Sequence, residues 1–148
     1  MIGDWVAYNL KPYTVDSLKR YNSAKQLEDG SFEPEIISAV KLANEEENTI
    51  GMLYQHSLEY ILAIPITHEI LEANGYKFNG LWYERDGYPS IEIGLYIGEY
   101  NIGKENLSNK EDPDFDTFVK IEYVHELQHV FKLFKVKDDI KLSKEHVV

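Results

Sequence analysis

The chain has 148 residues, enough for one domain with a real core or for two very small subdomains, and 43% of them are apolar against 28% charged. It contains no cysteine, which excludes a disulfide framework, a thiolate metal site and a cysteine nucleophile. Fifteen Lys and Arg against 26 Asp and Glu leave a formal net charge of −11, a balance that repels phosphate backbones and makes direct nucleic-acid binding unfavourable.

The opening "MIGDWVAYNL" has neither the basic start nor the apolar run of a secretory leader, and "ILAIPI" is far too short to span a bilayer. No membrane association and a cytoplasmic location are therefore expected. "IGDWVAYN" reads as a short strand behind a Gly3-Asp4 turn. Residues 10–34, with Pro12, Gly30 and Pro34 among scattered aromatics, read as a loop with one helical turn around "VDSLKRY". "EIISAVKLA" (35–43) is predicted as a strand from its β-branched content, "NEEEN" as a charged turn, and "TIGMLYQ" as a second short strand.

"ITHEILEANG" carries clearer signals. Thr67 is placed as N-cap, Glu69 and Glu72 follow, Ile70 and Leu71 are apolar, and Gly75 is the C′ residue of a helix of about two turns. Asn79-Gly80 and Asp86-Gly87 are hairpin turns between aromatic alternating segments, which places strands near 76–78, 81–85 and 90–97. Residues 98–114 read as a long polar loop, "FDTFVKI" as a strand, 122–135 as an amphipathic helix, and "IKL" as a last strand. The expectation is an α+β protein. Its β-rich N-terminal half is compatible with a small SH3-like barrel, and a short helix, an antiparallel aromatic meander and a C-terminal amphipathic helix follow. Residues 1–148 are expected to form a single compact domain, with a subdivision into a β-rich 1–64 and an α+β 65–148.

Within the last helix, His125, Glu126 and His129 spell H-E-x-x-H. Two histidines four residues apart can hold one Zn²⁺ from one helix face, and the glutamate between them can deprotonate a metal-bound water. A catalytic zinc needs a third protein ligand. The extended motif would place Gly and His where Lys132 and Lys135 stand. The other candidates are His56 and His68 upstream, and Glu145 and His146 in the tail. On a helical wheel Tyr123, Val124, Leu127, Val130, Phe131 and Phe134 form an apolar stripe, and the histidines fall opposite it beside Gln128, Lys132 and Lys135, a basic hydrated face. The expectation is therefore no catalytic residue and no cofactor, with the alternative of a minimal zinc metallopeptidase using His125 and His129 as ligands and Glu126 as base. Asp112, Asp114 and Asp116 imitate the opening of a calcium loop, but Thr117 and Tyr123 stand where its Gly and Glu belong. Trp82, Tyr83, Tyr88, Tyr96 and Tyr100 in the meander are the expected binding surface, since alternation turns about half of such a set away from a core.

The motifs Ile64-Pro65-Ile66-Thr67, Glu69-Ile70-Leu71, Asn74-Gly75 and Tyr123-Val124-His125 with Leu127-Gln128 resemble a family of small, uncharacterised proteins of prophages and mobile elements of gut anaerobes. The resemblance covers about two-thirds of the chain, and residues 10–34 depart from it. No activity carries over, and Glu126 and His129 lie outside the shared letters. The resemblance implies an accessory protein that acts by binding an unidentified protein partner. Aromatic edge strands are compatible with a homodimer, and the net charge motivates a third reading as an acidic nucleic-acid mimic.

Overall fold

The computed structural model describes residues 2–8, 11–44, 49–54, 61–109 and 111–143. The predicted turn "NEEEN" falls mostly outside them, as do His56, Glu145 and His146. The α+β class holds, with strands far outweighing two short helices among the described residues. The chain divides into two compact units, Met1–Leu62 with the last two residues, and Ala63–His146. No helix among the described residues is long and apolar enough to cross a membrane.

In the first unit, β1 (Trp5–Tyr8), β2 (Lys11–Gln26), β3 (Phe32–Asn44) and β4 (Thr49–Tyr54) run as an antiparallel meander. The sheet order is β4-β3-β2-β1-β5, with β5 (Leu62–Ala63) where one unit gives way to the next, and the sheet is open rather than a closed barrel among the described residues. Val15, Val40 and Leu42 are buried together, with Val6, Tyr8, Tyr13 and Ile61 against them.

The expected loop and helical turn at 10–34 are replaced by the longest strand of the chain. A β-bulge at Asp16 explains the misreading, because Val15 pairs with Leu42 and Leu18 with Val40. Val15 and Leu18 therefore share one face at a spacing of three, which imitates a helical period. The hairpin turns at Leu27–Ser31, where Gly30 takes a φ of 84° and the Asp29 carboxylate accepts the Ser31 N–H at 2.9 Å. Hydrogen bonds from the Ser31 hydroxyl and N–H hold the Asp29 carboxyl below its ordinary pKa.

In the second unit, α1 (His68–Ala73) is capped as its sequence predicts. The Thr67 hydroxyl accepts the Ile70 N–H at 3.2 Å, and Gly75 follows the C-cap Asn74 with a φ of 87°. A five-stranded meander comes next, of β6 (Lys77–Phe78), β7 (Trp82–Glu84), β8 (Ser90–Ile93), β9 (Tyr100–Asn106) and β10 (Asp114–Ile121), each pairing with the next. About half of the segment 98–114, expected as a loop, is thus strand, with β9 at 100–106. Its polar residues are used across the ladder, with Asn101 Nδ2 donating to the Glu92 carboxylate at 3.0 Å and Ser90 Oγ to Glu105 at 3.2 Å. Gly103 is required there, since a Cβ would collide with the Asp116 carbonyl of β10.

Helix α2 (Val124–Phe134) closes the unit, and Lys135 ends it in the left-handed region at φ 51°. Its Val124, Leu127 and Phe131 are buried with Ile70, Leu71, Tyr76, Trp82, Ile91 and Ile102. Backbone bonds from Ile66 N–H to the Glu122 carbonyl (2.9 Å) and from Val124 N–H to the Ile64 carbonyl (2.8 Å) tie the chain before α1 to the start of α2. The predicted last strand "IKL" is not a strand. Ile140 is buried, and Asn74 grips the segment from across the unit: its Nδ2 donates to the Lys141 carbonyl (2.9 Å) and its Oδ1 accepts the Lys141 N–H (2.7 Å).

Candidate functional site at the start of the second helix

The local sequence puts the three motif residues on the first two turns of α2, in three different surroundings. Glu126 is the third residue of the helix, where a carboxylate can reach back to backbone donors that have no intrahelical partner. It does so: one oxygen, Oε1, accepts the N–H groups of Glu122 (3.1 Å) and Tyr123 (3.0 Å). The carboxylate is thereby aimed at the helix start through one of its two oxygens.

The His125 and His129 rings lie 5.9 Å apart at 77°, and His125 also stacks on Tyr123 at 5.9 Å and 14°. Two imidazoles are two nitrogen ligands, one short of a catalytic zinc site. Among the described residues no group of three or more His, Asp or Glu is placed to hold a metal ion. His68 is engaged elsewhere. Its Nδ1 lies 2.6 Å from the Tyr83 hydroxyl and its Nε2 3.1 Å from Glu72. Asp114 and Asp116 belong to extended β10, so the 112–116 segment does not wrap as a calcium loop, and Asp114 Oδ1 accepts the Phe115 N–H.

The face carrying the histidines is not the open hydrated surface that the helical wheel predicts. His125 and His129 are half-buried, and Gln128 between them is fully buried, its Nε2 donating to Asp139 at 3.0 Å. At the other end of the predicted stripe, Phe134 is about half exposed and stacks on Phe118. Beside His125 and Glu126 opens a cavity of about 570 Å³, walled also by Glu99, Lys120, Glu122 and Tyr123. Glu99 and Lys120 in its lining form an ion pair at 3.1 Å.

The aromatic set divides by burial. Trp82 and Tyr83 are core residues and not the surface expected of them: Trp82 packs on Phe115, and Tyr83 on Phe78. Burial, reinforced by Tyr100, Glu72 and Glu69 nearby, pushes the Tyr83 hydroxyl above the ordinary tyrosine pKa, and burial with Glu69 does the same to half-buried Tyr100. Tyr88 is half-buried against Phe131 under the Arg85 guanidinium, and its hydroxyl meets the Asp138 backbone.

Tyr96 alone of the five stands out from the surface, at 69% exposure, and it has company that the sequence reading passed over. Leu95 is 85% exposed and Ile97 wholly so, with Ile93 half exposed at the end of β8. The turn that carries them is fixed by Gly94 N–H to the Glu99 carbonyl (2.7 Å) and Glu99 N–H to the Tyr96 carbonyl (3.1 Å). "GLYIG", apolar residues fenced by two glycines, is the signal that could have found it.

No family model, curated protein or solved structure matches the chain.

Proposed function

We propose that this chain is a non-enzymatic accessory protein of a mobile element that acts by binding another protein, with the turn Ile93–Ile97 as its principal contact. The observation that carries the reading is the exposure of Ile93, Leu95, Tyr96 and Ile97 on one short, backbone-braced turn. Together they present apolar surface on the order of 500 Å², at the upper end for the largest patch of a monomer. A convex, rigid apolar knob fits a concave pocket and loses little conformational freedom on docking. Half-buried Tyr100 lies at the foot of the same hairpin and extends the contact.

The test is a photo-reactive phenylalanine analogue in place of Tyr96 in the full-length protein, crosslinked in cells of the source organism, with Asp86 as the control position. A discrete adduct from position 96 that disappears with Leu95→Asp and Ile97→Asp supports the reading. Equal labelling from the two positions refutes it. A second reading, a minimal zinc peptidase on His125 and His129 with Glu126 as base, draws support from the adjacency of the two rings. Elemental analysis of untagged protein and its His129→Ala variant decides it: one zinc per chain, lost in the variant, would establish the site.

A further inference from the structure

A second surface, independent of the Ile93–Ile97 turn, lies in the first unit. Between Ser17 and Gln26, β3 is the only strand that pairs with β2 among the described residues, since β1 reaches only from Lys11 to Thr14 and β4 meets β3 from Ala39 onward. The β2–β3 hairpin thus runs past its own sheet as a two-stranded ribbon. Every side chain described between Leu18 and Pro34 is exposed. An isolated two-stranded hairpin is marginal in water, and its outer edges carry unpaired backbone groups that template another strand.

The two edges are not equivalent. At the turn, Leu27 N–H donates to the Ser31 carbonyl, so Leu27 and Ser31 form a bonded pair, and bonded and non-bonded pairs alternate from there. Gln26–Phe32 and Ala24–Pro34 are then non-bonded pairs, whose backbone groups point outward. On β3 the outward row therefore includes Pro34, which has no N–H, and that edge is broken. On β2 the outward row runs through Leu18, Arg20, Asn22, Ala24 and Gln26 without a proline or glycine, over about 30 Å at ~3.4 Å per residue.

Charge distinguishes the same edge. From Ser17 to Gln26, β2 carries Lys19, Arg20 and Lys25 and no acid, in a chain of net charge −11. Lys25 faces Glu33 across the ribbon, whereas Lys19 and Arg20 face Ala39 and Ser38. Alternation sends Lys19 and Arg20 to opposite faces, so an added strand meets positive charge above and below. A second copy paired through the same edge would set cation against cation, which is unfavourable.

We infer that the free edge of β2 accepts an extended acidic peptide segment of another protein as an added strand. Backbone hydrogen bonds supply the affinity, and Lys19, Arg20 and Lys25 select for Glu and Asp side chains. The full-length protein is titrated, by fluorescence anisotropy at low salt, with a labelled decapeptide of alternating Glu and Val and with its Lys–Val counterpart. Hydrogen exchange is followed in parallel. The Glu–Val probe is expected to bind at least about tenfold tighter than the Lys–Val probe, and to slow exchange over residues 17–26 but not 32–38. Ala24→Pro removes an outward N–H without touching a bond inside the ribbon and should weaken binding at least about tenfold. Lys19→Glu with Arg20→Glu should reverse the probe preference, a readout that survives if the proline variant folds poorly. Equal binding of the two probes, protection on β3 instead, or a dimer already protected over 17–26 without probe would each overturn the inference.

Discussion

Replacing Glu126 with alanine separates the two roles that this residue could have. In the structure its carboxylate accepts two backbone N–H groups, those of Glu122 and Tyr123, at the mouth of α2. Loss of a capping interaction costs about 0.5–2 kcal/mol, and loss of a negative charge beside a helix N-terminus about 0.3–1 kcal/mol. Glu126 is partly exposed, so water recovers some of both, and a net destabilisation of about 1–2 kcal/mol is expected. The unit spans residues 63–146, a size at which that loss lowers the melting temperature by about 5–12 °C. Glu126→Gln keeps an acceptor oxygen but not the charge and should recover about half. The assay is thermal unfolding followed by circular dichroism at low and high salt, and the charge-dependent part should shrink as salt rises. A melting temperature unchanged in Glu126→Ala within about 1 °C would refute the capping role, because a catalytic base held clear of the backbone stabilises nothing when it is removed.

Gly103→Ala forces a methyl group into the Asp116 carbonyl between β9 and β10; a loss above about 3 kcal/mol is expected, visible as a collapse of the soluble yield. Leu127→Ala empties a fully buried position on α2 and should cost about 2–5 kcal/mol in denaturant unfolding, with the m-value unchanged. Burial, opposed by the Arg85 guanidinium, raises the Tyr76 pKa far above the ordinary tyrosine range, and Tyr83 and Tyr100 are also raised. A raised folded-state pKa means that the contribution is intact below the unfolded value of about 10 and is lost as pH climbs through it toward the folded value. Ultraviolet titration should therefore show a late tyrosine class that ionises together with unfolding, and Tyr76→Phe should shrink it.

Legibility in the sequence followed the range of the interaction. The Thr67 cap and the Gly75 stop were readable because each acts on backbone within a few residues, and both stand where their letters place them. Lys135 ending α2 in a left-handed conformation carried no such letter. The long strand β2 was hidden by a single bulge, since one extra residue turns a period of two into a spacing of three. β9 was hidden by its polarity, which is satisfied by Glu92 and Ser90 on the neighbouring strand and not by anything local. Gln128 was assigned to a wet face because its partner, Asp139, arrives from beyond the helix. Alternation announced that aromatic residues divide between two faces, but Trp82 and Tyr83 are buried on both, Trp82 against Phe115 and Tyr83 against Phe78, partners that lie on other strands. The three letters of H-E-x-x-H were all visible, while the bond that assigns Glu126 to the backbone was not.

Asn74 has one more consequence, for the order in which the second unit assembles. Its amide grips both backbone groups of Lys141, 67 residues later, and its Nδ2 also serves the carbonyl of Ile70 at 2.8 Å. The side chain thus does the work of a missing strand, clasping a segment that has no ladder of its own. A nascent chain in which Ile140 and Lys141 have yet to emerge leaves that amide buried with half its partners absent. During synthesis the second unit therefore waits for its clasp until Ile140 and Lys141 have emerged. A fragment ending before Ile140 should accordingly be degraded in cells although it contains every described strand and helix.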